Sequence, residues 1–271
     1  MSRKRDFIAR TISGFAAATE RALYAEETAK ADGLLQKLDP RVKLVGLLAL
    51  LVAATLSHKL WVIALIFCGA VLLALLSRVS IRTLATRTWI GVLLFTGFIA
   101  LPAIFITPGE RLPIGNWTIS APGLKSAAFL IARVETAATL MLLLIVCTPW
   151  THVLKALRAL RVPSLFIVIL GMTYRYIFLF LQTAREMFEA RSSRMIGELE
   201  PAARRRLATA SAGVLLSKSI NLSEQVYSAM LSRGFRGEAF ALDEFSMKKR
   251  DWLAAFGFAL ATVAAVWLGR R

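Results

Sequence analysis

Five long apolar stretches constrain what this chain can fold into more than any other feature. They cover residues 42–57, 60–77, 89–107, 126–148 and 252–268. A helix needs about 20 apolar residues to cross the hydrocarbon core of a bilayer, with about 17 as the lower limit. Reading 42–77 as one helix would bury Lys59 near its middle, which is costly in lipid. The sequence therefore predicts a turn at Ser57-His58-Lys59 and five transmembrane helices.

The placement of lysine and arginine predicts the orientation of these spans. The chain has 34 Lys+Arg against 17 Asp+Glu, although 57% of its residues are apolar. With the N-terminus inside, 28 of the basic residues fall in the inner segments 1–43, 78–87 and 149–250, and five fall in the outer segments. Since basic residues collect in cytoplasmic loops, we expect a cytoplasmic N-terminus and a multi-pass protein of the cell (inner) membrane. The bilayer thus accounts for the basic charge, and no nucleic-acid partner is expected.

The fold class that follows is an all-α polytopic membrane protein with about five transmembrane helices and a cytoplasmic block. In chain order, the predicted domains are a basic cytoplasmic segment (1–33), four transmembrane helices (34–148), a cytoplasmic domain (149–250) and a C-terminal transmembrane helix (251–271).

The cytoplasmic domain carries helix signals almost throughout its length. Three helices are predicted, over residues 163–181, 182–195 and 201–233. The first is apolar but contains Arg175, which is costly in lipid, so we expect this helix at the inner face of the membrane rather than across it. The third is expected to stop at Gly234, a residue typical of helix C-termini.

Two short motifs end the last two of these helices, Ala190-Arg191-Ser192 and Ser232-Arg233-Gly234. Small neighbours let another protein approach the backbone, and the arginine offers a planar fork of five hydrogen-bond donors. A positive charge near a helix C-terminus is also favoured by the helix dipole. Arginines in such places equally cap carbonyl groups or meet lipid phosphates on ordinary basic helices. From the residues alone, both interpretations stay open.

The order of these features resembles the transmembrane T component of energy-coupling-factor (ECF) transporters. The run Leu38-Asp39-Pro40-Arg41-Val42-Lys43-Leu44 is similar to the start of that family's first span. The form Tyr174-Arg175-Tyr176-Ile177, followed by Ala190-Arg191-Ser192, is most similar to the cobalt and nickel branch, the CbiQ family. The resemblance covers about residues 34–270. The family often has Ala-Arg-Gly in both motifs, whereas Ser192 and Ser232 stand here in place of a glycine and an alanine.

The resemblance implies a non-catalytic coupling subunit with five spans and three coupling helices. Its partners would be two cytoplasmic ABC-type ATPases, which hold ATP and Mg, and a metal-binding, CbiM-like membrane S component. A small accessory membrane subunit is a further possible partner. The residues implied in ATPase coupling are Ala190, Arg191, Ser192, Ser232, Arg233 and Gly234, with Arg191 on one ATPase and Arg233 on the other. The residues assigned to the supporting packing are Tyr174, Arg175 and Met230. From the residues themselves, Arg175 is expected to be a satisfied charge inside this packing, with a direct transport role as the alternative.

The sequence lacks the patterns that bind nucleotides or metals. It has no Gly-rich loop followed by Lys-Ser/Thr, so we expect no P-loop site on this chain. The four candidate metal ligands are scattered without ligand spacing, at His58, Cys68, Cys147 and His152. We therefore expect no catalytic, cofactor-binding or metal-binding residue.

One pair of charges lies at the outer part of the fourth span. Arg133 and Glu135 are two residues apart, so they point in different directions on a helix. An interfacial role is expected, with pairing to the outer loop or to the substrate subunit as the alternative.

Other functions stay in competition with cobalt transport. The cargo of an ECF importer can also be nickel or a vitamin. From another class, a membrane-embedded lipid-modifying enzyme would need clustered Asp, Glu or His near the interface. The acids at 186, 189, 198, 200 and 224 look instead like exposed helix charges. A self-contained permease would show internal repeats and interrupted spans, and neither is evident.

Overall fold

In the computed structural model, the chain is described over residues 33–106, 111–114, 117–194, 200–237 and 247–270, and at Ser13, Gly14 and Ala17. Helices dominate these residues. They are α1 Pro40–Leu56, α2 Leu60–Leu76, α3 Ile81–Leu84, α4 Ile90–Ile106, α5 Ala121–Val146, α6 Trp150–Ala159, α7 Ser164–Ser192, α8 Pro201–Ser232 and α9 Lys249–Arg270. A π-helical turn, Ala85–Trp89, joins α3 to α4. A small antiparallel hairpin pairs β1, Arg111–Ile114, with β2, Trp117–Ser120. The all-α fold class of a polytopic membrane protein is confirmed.

The described residues separate into two compact units. The first, here called the bundle unit, comprises residues 33–106, 111–114, 117–156 and 247–270. The second, here called the helix-pair unit, comprises residues 157–194 and 200–237. The membrane topology behind the predicted domain boundaries stays a prediction.

Every stretch predicted to span the membrane forms a helix of the bundle unit. The predicted turn lies where α1 ends at Leu56 and α2 begins at Leu60. Helix α5 packs against α1, α2 and α4, and α9 packs against α1. Helices α1 and α9 approach closely at Gly46. A Cβ added at this glycine would lie 2.5 Å from Cγ of Phe258. The bundle is thus organised around α5, with α9 added on the α1 side.

Length and composition qualify three described helices to cross a membrane, namely α5, α7 and α9. Two further described helices are apolar but shorter, over Leu60–Leu76 and Ile90–Pro102. Helix α7 is the one that sequence analysis assigned to the inner membrane face. Its placement at that face therefore stays a prediction that needs a direct test.

The predicted helix boundary between residues 181 and 182 is wrong. Helix α7 runs without interruption from Ser164 to Ser192. The residues change there from apolar to charged, but no proline or glycine accompanies the change. Side-chain contacts at i,i+4 spacing support the helix beyond this point, from Gln182 Nε2 to Glu186 Oε1 at 2.9 Å and from Arg185 Nε to Glu189 Oε1 at 2.7 Å.

Candidate functional site

The motif Ser232-Arg233-Gly234 forms the C-terminus of α8, as the sequence predicts. Gly234 has a φ of +81°, in the left-handed region that favours glycine. Its N–H donates to the Leu231 carbonyl at 3.0 Å, and the Phe235 N–H donates to the Met230 carbonyl at 3.0 Å. This pair of bonds is the Schellman motif, which satisfies carbonyl groups at the end of a helix. The turn fixes the backbone on both sides of Arg233, whose side chain is exposed.

The motif Ala190-Arg191-Ser192 occupies the last turn of α7 and ends without a glycine. The hydroxyl of Ser193 donates instead to the carbonyls of Glu189 at 3.1 Å and Ala190 at 3.2 Å. Arg191 is half-buried, whereas Ala190 and Ser192 are exposed. The helix end is therefore closed by a serine side chain, and the small residues of the motif leave its surface open.

The two arginines lie at opposite ends of the helix-pair unit. The Ser164 hydroxyl donates to the Gly237 carbonyl at 3.5 Å, which places the start of α7 beside the end of α8. At 1.5 Å per residue, Arg191 is about 40 Å from Ser164 along the α7 axis. Arg233 is only four residues from Gly237. Because of this separation, two partner molecules, or two distant sites on one partner, are needed to engage both arginines.

A cavity of about 500 Å³ lies between the first half of α7 and the second half of α8. The lining includes Leu165, Ile169, Met172, Tyr176, Leu222 and Met230. On α7 these residues recur every three or four positions, which is the spacing of one helix face. The two helices therefore face each other along an apolar stripe that is not filled by their own side chains.

The residues predicted to support this packing differ in what they contact. Met230 lines the cavity, and the ring of Tyr174 meets that of Phe178 edge-on at 5.1 Å. Arg175 is exposed, so the expectation of a charge enclosed by helix packing is wrong. The reason is helical geometry, since Arg175 lies one residue before Tyr176 and thus points about 100° away from the apolar stripe.

Within the described residues, neither Arg191 nor Arg233 forms an ion pair. The one ion pair among them is Arg185–Glu189, which is local to α7. Chemically, each helix end offers a guanidinium fork between small residues, a surface suited to carboxylates or carbonyl groups of another protein. The described residues bring together no metal-binding group of three or more His, Cys, Asp or Glu.

Sequence reasoning missed a buried polar cluster in the bundle unit. Lys43 is only 1% exposed, and its Nζ donates to the Cys147 carbonyl at 3.1 Å. The Asp39 carboxylate accepts from the Arg41 N–H at 2.8 Å, and its backbone N–H donates to Oδ1 of Asp251 at 3.0 Å. Both carboxylates act electrostatically on Lys43. The run that resembles the start of the family's first span is thus a junction of α1 with the end of α5 and the start of α9.

The positive charge of this cluster reaches His152 in α6. Burial lowers the pKa of His152 from its ordinary value of 6.5, and the charges of Lys43 and Lys155 lower it further, against an opposing effect of Asp39. Burial and the two lysines therefore both favour the neutral form of the imidazole. The sequence offered no signal for this, because Lys43 and His152 are far apart in the chain.

Arg133 and Glu135 point in different directions, as their spacing predicts. The Arg133 guanidinium donates to the Ser57 carbonyl at 2.9 Å, so it contacts the α1–α2 turn. Glu135 is 8% exposed, and within the described part of the chain both of its carboxylate oxygens lack a hydrogen-bond partner. The interfacial role fits Arg133, whereas Glu135 lies in the bundle interior.

Comparison with known proteins agrees with these features. Residues 32–242 match the family CbiQ, described as a cobalt transport protein. The chain is also 30% identical, over 235 residues, to an uncharacterised protein of Methanocaldococcus jannaschii, a match that covers 84% of this chain and 80% of the relative. The matched region includes α1 to α8 and both arginine motifs. This chain belongs to the CbiQ family of cobalt transport proteins.

Proposed function

We propose that this chain is the transmembrane coupling (T) subunit of an ECF-type importer. In this role it transmits ATP hydrolysis by two cytoplasmic ATPases to a separate membrane subunit that captures the substrate. One observation carries the proposal: two arginines stand at helix C-termini at opposite ends of one helix pair, each between small residues and without an ion-pair partner among the described residues. Two ATPases fit two such sites.

The family supports cobalt as the cargo, since its description is that of a cobalt transport protein. The metal would be bound by the S component, and ATP and Mg by the ATPases. A competition experiment tests this choice. Uptake of radioactive Co²⁺ is measured in cells that carry the whole transporter while Ni²⁺ is added as competitor, and the reverse experiment is done with radioactive Ni²⁺. If Ni²⁺ inhibits Co²⁺ uptake more strongly than Co²⁺ inhibits Ni²⁺ uptake, the cargo is nickel.

The partners are tested by affinity purification of the tagged chain from its own host in mild detergent. Mass spectrometry should identify two P-loop ATPase subunits and a membrane protein with metal ligands. Arg191→Glu and Arg233→Glu should each reduce recovery of the ATPases, and the double variant should abolish it. Truncating one partner of a desolvated charge contact costs about 2–5 kcal/mol, or about 30-fold to several thousand-fold in affinity.

A matched control separates a docking role from a general charge effect. Arg205→Glu makes the same charge change at an exposed position of α8. Loss of a surface contact costs only about 0–1 kcal/mol, so this variant should retain its ATPases. Normal ATPase recovery and metal uptake by the double motif variant would refute the coupling role of the two arginines.

The proposed orientation places the N-terminus in the cytoplasm and α7 at the inner face. A cysteine introduced at Asn116 should react with a membrane-impermeant maleimide in intact cells, whereas one at Glu198 should be spared. Reaction at position 198 would show that α7 crosses the membrane, as its length and composition permit.

A further inference from the structure

A cationic cleft lies at the end of the bundle unit where α1 turns into α2. It has a volume of about 400 Å³ and is lined by His58, Lys125, Ser126, Phe129, Leu130 and Arg133. This end is opposite to the Asp39–Lys43 junction, because α1 runs from one to the other. Neither the coupling role nor the family description assigns a function to this cleft.

The two cations of the cleft are placed to converge on one anion. Lys125 and Arg133 are eight residues apart on α5, about 12 Å along the axis, and both line the cleft. Both side chains are long enough to reach inward from these positions. Neither makes an ion pair with a described carboxylate. Two cations that share a cleft, with no counter-charge paired to them within the described part of the chain, favour a negatively charged group there.

Arg133 is also held in position for such a contact. Its guanidinium donates to the Ser57 carbonyl at 2.9 Å, which fixes the side chain against the α1–α2 turn. Its Nε is buried and has no partner among the described residues. The Ser57 bond therefore fixes the guanidinium in the lining of the cleft.

Two tryptophans place this cleft at the level of the lipid headgroups. Trp61 lies one residue inside the start of α2 and is 50% exposed, and Trp267 lies in the last turn of α9 and is 55% exposed. The ends of α1 and α9 meet here, since the His58 N–H donates to the Gly269 carbonyl at 3.2 Å. Exposed tryptophans at helix ends mark the boundary between hydrocarbon and water in membrane proteins.

We propose that the cleft between Lys125 and Arg133 binds the phosphate of an anionic lipid headgroup. The cations contact the phosphate, and Phe129 and Leu130 pack against the glycerol and the upper part of the acyl chains. The same phosphate chemistry is available from a free phosphate ion, but an ion gains nothing from the apolar part of the lining. The apolar residues and the interfacial level therefore favour a lipid.

The test is native mass spectrometry of the full chain in detergent, titrated with phosphatidylglycerol or with phosphatidylcholine of the same acyl chains. The wild type should retain phosphatidylglycerol in preference to phosphatidylcholine. A basic residue in contact with an anionic headgroup changes lipid binding by about fivefold. Lys125→Ala should therefore weaken retention of phosphatidylglycerol about fivefold and leave the weaker binding of phosphatidylcholine less affected.

Lys59→Ala is the matched control, because Lys59 lies at the same end of the bundle but does not line the cleft. It should change phosphatidylglycerol retention less than twofold. A large excess of inorganic phosphate should fail to displace the lipid, and displacement at equal affinity would assign the cleft to free phosphate instead. Equal retention of phosphatidylglycerol by the wild type and Lys125→Ala would overturn the site altogether.

Discussion

The bundle unit and the helix-pair unit use their basic side chains in different ways. In the bundle unit, three such side chains donate to a backbone carbonyl of a distant segment: Lys43 to Cys147, Arg133 to Ser57 and Arg250 to Lys37. In the helix-pair unit, the described ion pair joins residues one turn apart, and Arg191 and Arg233 form none with the residues that the structure describes. The bundle thus uses cations to join its own segments, whereas the helix pair leaves two at helix ends, where another protein can reach them.

Exposed apolar residues do not distinguish the two units. Phe98 on α4 is 76% exposed and Leu253 on α9 is 74% exposed, as lipid-facing side chains are expected to be. Phe166 on α7 and Tyr227 on α8 are 58% and 59% exposed. Either bilayer or protein can cover such surfaces. The charged contacts are therefore the better guide to which unit is self-contained.

The largest effect is expected from removing the buried cation of the bundle. Lys43→Ala leaves the Asp39 and Asp251 carboxylates buried, at 6% and 3% exposure, without their nearby positive charge. The change also leaves a cavity where the buried Lys43 side chain lay and removes the donor to the Cys147 carbonyl. Truncating a large buried side chain costs about 2–5 kcal/mol, so the thermal unfolding temperature in detergent should fall sharply. Lys59→Ala removes a less buried lysine at the other end of α1 and should cost under about 1 kcal/mol. If both variants lose similar amounts of stability, the buried lysine does not hold the bundle together, and the contrast between the two units is wrong.

A smaller loss is expected from separating α1 and α9. Gly46→Val places side-chain atoms where the Phe258 ring lies, since even a Cβ would come within 2.5 Å of Cγ. Overpacking of this kind costs about 1–3 kcal/mol, measured by the same unfolding experiment. Gly69→Val is the control, because nothing lies within 4 Å of a Cβ there. Should Gly69→Val prove the more damaging change, the α1–α9 contact would not be what holds α9 in the bundle.

A substitution at the end of α8 tests whether the helix-pair unit opens locally, without the bundle unit opening as well. Gly234→Ala puts a Cβ at a φ of +81°, which costs about 1–2 kcal/mol. Hydrogen exchange should accelerate at the amides of Gly234 and Phe235, which donate in the Schellman turn, while the bundle amides stay unchanged. Gly213→Ala, inside α8 with open space around it, should slow exchange nearby. Accelerated exchange throughout the chain would mean that the units unfold together.

The sequence predicted the elements far better than their junctions. The apolar runs located α1, α2, α4, α5 and α9, and Gly234 marked the end of α8, because both signals are local. The helix end predicted at residue 181 was wrong because only the composition changes there, and no helix-breaking residue is present. The bond from the Asp39 N–H to Asp251 joins residues 212 positions apart, so no periodicity reveals it. The two arginine motifs were visible as patterns, but their separation to opposite ends of the pair follows only from the Ser164–Gly237 contact.

The smallest effect is expected from the titration of His152, which reports on the charge of the bundle junction. Its pKa is lowered mainly by burial, with Lys43 and Lys155 adding to the effect. As the pH falls through the ordinary value of 6.5, the unfolded chain binds a proton before the folded one does. Folding stability is therefore complete above that value and decreases as the pH falls toward the folded pKa. His152→Gln should remove this part of the pH dependence.

The chain has only two histidines, so NMR in detergent can follow this titration directly once His58→Asn leaves a single imidazole. His152 should titrate below the ordinary pKa, and Lys155→Gln should move its pKa part of the way back, since burial is the larger cause and stays in place. Lys218→Gln, which removes an exposed lysine of α8 in the other unit, should leave it unchanged. An imidazole that titrates at or above the ordinary value would mean that the junction is open to water. The bundle would then not be the self-contained unit that the buried Lys43 indicates.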